Sequence, residues 1–76
     1  MSKDEAALWG ARIVFYRTLK GYSQLELAET VGITRQYLSK LEHGHAICSM
    51  KTMCRIAEIL EIDPGDIISL VNREDE

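Results

Sequence analysis

Four polar side chains crowd into six residues: Arg35, Gln36, Ser39 and Lys40 stand at i, i+1, i+4 and i+5. On a helix that spacing places them on one side of the rod. Arginine carries a planar fork suited to guanine edges, and glutamine pairs a donor with an acceptor in the pattern that adenine presents. Lysine adds a flexible cation, serine is short, and none of the four is acidic. Such a face is fit to read DNA bases. The same residues also make an ordinary solvated helix face, so the elements around them must decide.

A second cluster of reactive types follows at once: His43, His45, Cys48 and Cys54. The spacing H-x-H-x2-C-x5-C is not a familiar zinc pattern. Nor does an acid or orienting group stand where a Cys–His nucleophile would need one. The expectation is therefore no metal, no cofactor and no enzyme, with both cysteines as small core or half-buried thiols. Two cysteines do not make a disulfide framework.

The chain has 76 residues, with 9 Lys+Arg against 12 Asp+Glu and 46% hydrophobic residues. That length implies one domain, 1–76, with a core over 8–71 and an acidic tail over 72–76. A chain of this size buries only about 60% of its unfolded surface. It leaves no space for a separate small-molecule effector domain or a large enclosed active site. No run of about 20 apolar residues offers a membrane span. The acidic start Met1-Ser2-Lys3-Asp4-Glu5 is unlike a signal peptide, so a cytoplasmic location is expected.

The elements that would hold the polar face are all helical. Pro occurs once, at Pro64, and alternation of the strand type is absent. Segment one, Lys3 to Lys20, begins at a Ser2/Glu5 capping box and ends at Gly21. Its apolar residues form two overlapping stripes and a broad face: Leu8, Ala11 or Arg12, Phe15 or Tyr16 and Leu19 fall at helical spacing, and so do Trp9, Ile13 and Tyr16. Gly10 inside it costs roughly 1 kcal/mol against alanine and predicts fraying of the first turns. Segment two, Gln24 to Val31, opens on the Ser23/Glu26 box, buries Leu27, Ala28 and Val31, and stops at Gly32. Segment three, Arg35 to His43, has Thr34 as its cap, turns Leu38 and Leu41 inward, and terminates at Gly44. Segment four, Met50 to Leu60, starts behind Ser49 and buries Met53, Ile56, Ala57 and Leu60. Segment five, Pro64 to about Val71, carries Asp63 as cap and proline at its first position. The predicted fold is all-α: a compact bundle of five helices.

Segments two and three are joined by only Gly32-Ile33-Thr34. So short a link makes two short helices cross steeply, with Ile33 plugging the angle, which is the helix-turn-helix arrangement. Charge partition agrees. Residues 10–54 carry six basic against three acidic side chains, a balance of +3, while 1–9 carry −1 and 55–76 carry −5. A protein acidic overall still presents a positive face where its local charges are positive, because charges beyond about 10 Å are screened.

The run Arg17-x3-Gly21-x-Ser23-Gln24-x2-Leu27-Ala28-x3-Gly32-Ile33-Thr34-x3-Leu38-Ser39-Lys40-Leu41-Glu42-x-Gly44 resembles the Cro/lambda-repressor-type helix-turn-helix family, often called the XRE family. The similarity covers about residues 10–70. It implies a lambda-repressor-like domain that regulates transcription, often as a repressor. Such a protein binds a palindromic double-stranded operator as a homodimer, with the recognition helix 35–43 in the major groove. By the same resemblance, Arg35, Gln36, Lys40, Tyr37 and Ser39 are the base-reading positions. Gln24, Thr34, His43 and Ser23 stand near the DNA backbone, and Arg17 with Glu42 forms an internal ion pair between the first and third helices. The loop His45-Ala46-Ile47-Cys48 departs from relatives that place Lys, Arg or Pro there.

Val14, Phe15 and Leu19 exceed what one small core needs. Completing the core is the commoner fate of such residues; a partner surface is the other. Ile68, Leu70 and Val71 pose the same question, and the resemblance favours that end for the dimer. A protein-interaction module, antitoxin-like or adaptor, is the alternative function on this fold.

Overall fold

The computed structural model describes residues 2–63, and every regular element among them is helical: α1 (Lys3–Lys20), α2 (Gln24–Val31), α3 (Arg35–Glu42) and α4 (Met50–Leu60). The segment expected as a fifth helix, 64–71, the tail 72–76, and with them Ile68, Leu70 and Val71, lie outside the described residues. Three of the four helices have the bounds expected from the sequence. The third ends one residue earlier, because His43 leaves helical geometry and caps it.

Each helix starts on a hydroxyl that satisfies a backbone N–H otherwise left without a partner. Ser2 accepts from Glu5 N–H (3.2 Å), Thr34 from Tyr37 N–H (3.1 Å) and Ser49 from Thr52 N–H (3.2 Å). At α2 the box is reciprocal: Ser23 Oγ accepts from Glu26 N–H, and Glu26 Oε1 accepts from Ser23 N–H, both at 3.0 Å. Those hydrogen bonds hold the Glu26 carboxyl below the usual range.

α1 packs on α3 and α4, and α2 packs on the same two helices. Trp9, Ile13, Leu27, Leu38, Leu41, Ile56 and Leu60 fill the centre. Burying each such side chain contributes about 1.5–3 kcal/mol. Of the two stripes on α1, the structure buries Trp9 and Ile13 and half-buries Tyr16. Leu8, Val14, Phe15 and Leu19 stay outside, with Phe15 62% and Leu19 67% exposed. The expectation that Val14, Phe15 and Leu19 complete the core is thereby overturned. The reason is angular: α1 touches the bundle along one side only, and Trp9 and Ile13 occupy it.

Gly10 also turns out otherwise than expected. It is buried where α1 crosses the end of α3. A Cβ there would lie 2.6 Å from the Glu42 carbonyl oxygen and closer still to that of Leu41. Both are backbone atoms that cannot swing aside. The glycine is the contact that lets the two helices approach, and α1 is helical from Lys3 onward.

Cys48 is buried in the core and Cys54 is exposed on α4. Burial pushes the Cys48 thiol up, and the Trp9 indole N–H beside it offsets only part of that rise. Two outcomes are expected. Gly10→Ala gains about 1 kcal/mol of helix propensity but forces the helices apart at a cost of about 1–3 kcal/mol or more; a lower urea midpoint is the sign that the clash dominates. An alkylating reagent at pH 8 labels Cys54 within minutes and Cys48 only when the protein unfolds, and equal rates would contradict this packing.

Candidate nucleic-acid interface

The corner between α2 and α3 sets everything on the outer face. Gly32 takes a left-handed backbone (φ 90°) that an L side chain rarely adopts, and closes α2 by donating to Ala28 O at 2.8 Å. Ile33 N–H reaches the same carbonyl at 3.0 Å, and its side chain packs against the core. Thr34 then caps α3. Leu38 and Leu41, at 0% and 1% exposure, fix the rotation of α3 about its axis. At about 3.6 residues per turn, Gln36 and Lys40 must then point away from the bundle, with Arg35 and Ser39 beside them.

Arg35, Gln36, Ser39 and Lys40 line one open concavity together with Gln24 from the start of α2. Arg35, Gln36 and Lys40 are exposed, while Ser39 and Gln24 are half-buried. The described residues around this hollow include two cations and no carboxylate. The other candidate residues stand apart from it. Thr34 and Ser23 use their hydroxyls as caps. His43 leaves at the end of α3, where its Nδ1–H donates to Ser39 O at 2.7 Å. Its ring stacks on His45 with centroids 5.8 Å apart.

Tyr37 differs most from the expectation. It is half-buried and packed against the core, and its hydroxyl donates to Ile47 O at 3.5 Å. The ring braces the α3–α4 loop and does not share the hollow with Arg35 and Gln36. Its place directly before Leu38, toward the buried side of the helix, was the available clue.

Beneath the hollow lies a clamp. Arg17 donates from Nε to Glu42 Oε2 at 2.6 Å, from Nη2 to Glu42 Oε1 at 3.3 Å, and from Nη1 to the Tyr22 carbonyl at 3.0 Å. Gln24 Nε2 donates to the same Glu42 Oε1 at 2.8 Å. The Glu42 side chain is only 3% exposed and that of Arg17 16%. One carboxylate therefore joins α1, α2 and α3. Spacing alone did not reveal the Gln24 bond, because 18 residues separate the partners.

Among the described residues no group of three or more His, Cys, Asp or Glu is placed to hold a metal ion. No helix among them is long and apolar enough to cross a membrane.

The helix-turn-helix family model matches residues 15–67. YazB, an uncharacterized HTH-type transcriptional regulator of Bacillus subtilis, is 35% identical over 63 residues, which are 83% of this chain and 91% of YazB. SinR of Bacillus licheniformis, also an HTH-type transcriptional regulator, is 35% identical over 68 residues, 88% of this chain and 59% of SinR. The crystal structure of the restriction-modification controller protein C.AhdI from Aeromonas hydrophila superposes with a TM-score of 0.75 at 32% identity, over 82% of this chain and 90% of that one. The matched span runs from the second half of α1, across the steep corner and the clamp, to beyond α4, so the chain belongs to the helix-turn-helix family in its Cro/lambda-repressor (XRE) branch, a family of non-enzymatic DNA-binding proteins.

Proposed function

We propose that this chain regulates transcription by binding a palindromic double-stranded DNA operator as a homodimer, each copy laying α3 in a major-groove half-site. The observation that carries the reading is the hollow itself. Arg35, Gln36 and Lys40 stand exposed on a helix whose rotation is locked by Leu38 and Leu41, beside an amide from α2. Arg35 offers its fork to guanine O6 and N7, Gln36 its amide to adenine N6 and N7, and Lys40 an ammonium to a base or phosphate. Ser39 lines the same hollow. Gln24, Ser23 and Thr34 stand at helix N-termini, where backbone N–H groups and the dipole favour phosphate. His43 stands exposed at the end of the helix. Tyr37 acts through the α3–α4 loop that it braces.

Two copies on one operator would present their recognition helices about 34 Å apart, one turn of the duplex. The relatives support regulation as the outcome, since SinR is a transcriptional regulator and C.AhdI is a controller protein. A protein-interaction module on the same fold is the second reading. The outward Leu8, Phe15 and Leu19 of α1 favour it.

Selection from a random DNA pool separates the two. Enrichment of one palindrome, with half-sites a helical turn apart, is expected. Arg35→Ala then weakens the selected operator by about 1–3 kcal/mol and relaxes one base position. Gln24→Ala weakens every sequence alike. A pool that shows no enrichment at low salt sinks the DNA reading.

A further inference from the structure

We propose that Glu42 is a positioning residue for phosphate recognition, acting through Gln24; the inference rests on the DNA-binding reading above. The carboxylate Oε1 of Glu42 receives Gln24 Nε2 at 2.8 Å and Arg17 Nη2 at 3.3 Å, while Oε2 takes Arg17 Nε at 2.6 Å. A carboxylate only accepts hydrogen bonds. The Gln24 amide therefore has one orientation: flipped, it would set its carbonyl oxygen against a carboxylate oxygen. Holding the nitrogen leaves one amide N–H and the carbonyl oxygen for the hollow that Gln24 lines with Arg35, Gln36, Ser39 and Lys40.

A negative group this near a DNA surface would ordinarily repel phosphate. Here it sits below the surface, its side chain 3% exposed and matched by the Arg17 guanidinium. What reaches the DNA is the oriented dipole of Gln24 and not the charge of Glu42. A free glutamine on the helix start would spread its amide over several rotamers and pay their entropy on binding. The clamp settles that choice in the free protein. Residues that share no contact with the nucleic acid, Arg17 and Glu42, thus set the geometry of one that does.

The test uses the whole chain and the operator taken from the random-pool selection, with duplexes in which single phosphates are replaced by neutral methylphosphonates. In the wild-type protein one replacement near the start of α2 is expected to cost about fivefold to tenfold, the worth of one hydrogen bond. In Gln24→Ala that penalty vanishes and the others persist. Glu42→Asp, which keeps a charge for Arg17 but draws back from Gln24, loses the same single penalty. Combining it with Gln24→Ala adds nothing further. A purely structural Glu42 would instead leave all phosphate penalties in place and multiply with Gln24→Ala, and that result overturns the proposal.

Wild-type protein supplies a reading independent of whether the variants fold. By NMR one Gln24 side-chain amide proton exchanges slowly in the free protein, and its twin becomes protected only on the operator. Fast exchange of both in the free protein also overturns it. If the wild-type chain enriches no DNA, the functional reading fails; if it binds and the penalties multiply, only the role of Glu42 fails.

Discussion

One carboxylate, Glu42, holds three helices in register. It is 3% exposed at its side chain and accepts from Arg17 on α1 and from Gln24 on α2, while belonging itself to α3. Such a buried ion is not a generous source of net stability, because desolvating both charges consumes most of the Coulombic gain. Its force lies in the asymmetry. With both partners present the cost is offset; with one removed, an uncompensated charge remains inside and the loss reaches about 3–5 kcal/mol. The bundle is therefore confined to arrangements in which α1, the Tyr22 loop and α2 all meet the end of α3. Gly10 makes that meeting possible by letting the backbones touch, and Leu38 and Leu41 anchor the same helix from its apolar side.

That confinement explains how a small core suffices to display a site. The concavity needs Gln24 and the outward residues of α3 at a fixed separation, yet they sit on different helices joined by Gly32-Ile33-Thr34. The corner provides the angle: a left-handed glycine, a side chain packed into the core and a capping threonine. The clamp provides the distance. Apolar packing alone would tolerate small slides of α2 along α3, since dispersion is non-directional. Hydrogen bonds of 2.6–3.0 Å do not.

Much of this was legible in the residues. Helix starts followed from hydroxyl caps, and the ends of α1 and α2 from glycine stops, which act locally and so leave local marks. Leu27, Ala28, Val31, Leu38, Leu41, Met53, Ile56, Ala57 and Leu60 reached the core as periodicity required. Three features were hidden, each for a tertiary reason. Gly10 read as a weak point because its value depends on α3 passing within contact distance. Phe15 and Leu19 read as core because periodicity cannot tell which of two apolar stripes finds a partner. The Gln24–Glu42 bond joins residues 18 apart, and no local pattern records it. Tyr37 lies between these cases, since its neighbour Leu38 already fixed the side it would face.

Electrostatics completes the picture and corrects a simple tally. The balance of +3 over residues 10–54 already sets Arg17 against Glu42, but it counts Lys20, which the fold engages elsewhere. Arg17 neutralises Glu42, and Lys20 pairs with Glu61 at the end of α4, where its ammonium holds the Glu61 carboxyl below the usual range. An exposed pair of that kind adds little to stability. It does remove one cation from the sum. What a polyanion meets at the hollow is Arg35 and Lys40, both on α3, with no carboxylate among the residues that line the concavity. Screening over about 10 Å makes those two charges count for more than the net charge of the chain. A protein of formal charge −3 can thus attract DNA at one place and repel it elsewhere, and on the proposed mode of binding this asymmetry would turn α3 toward the groove before any base is read.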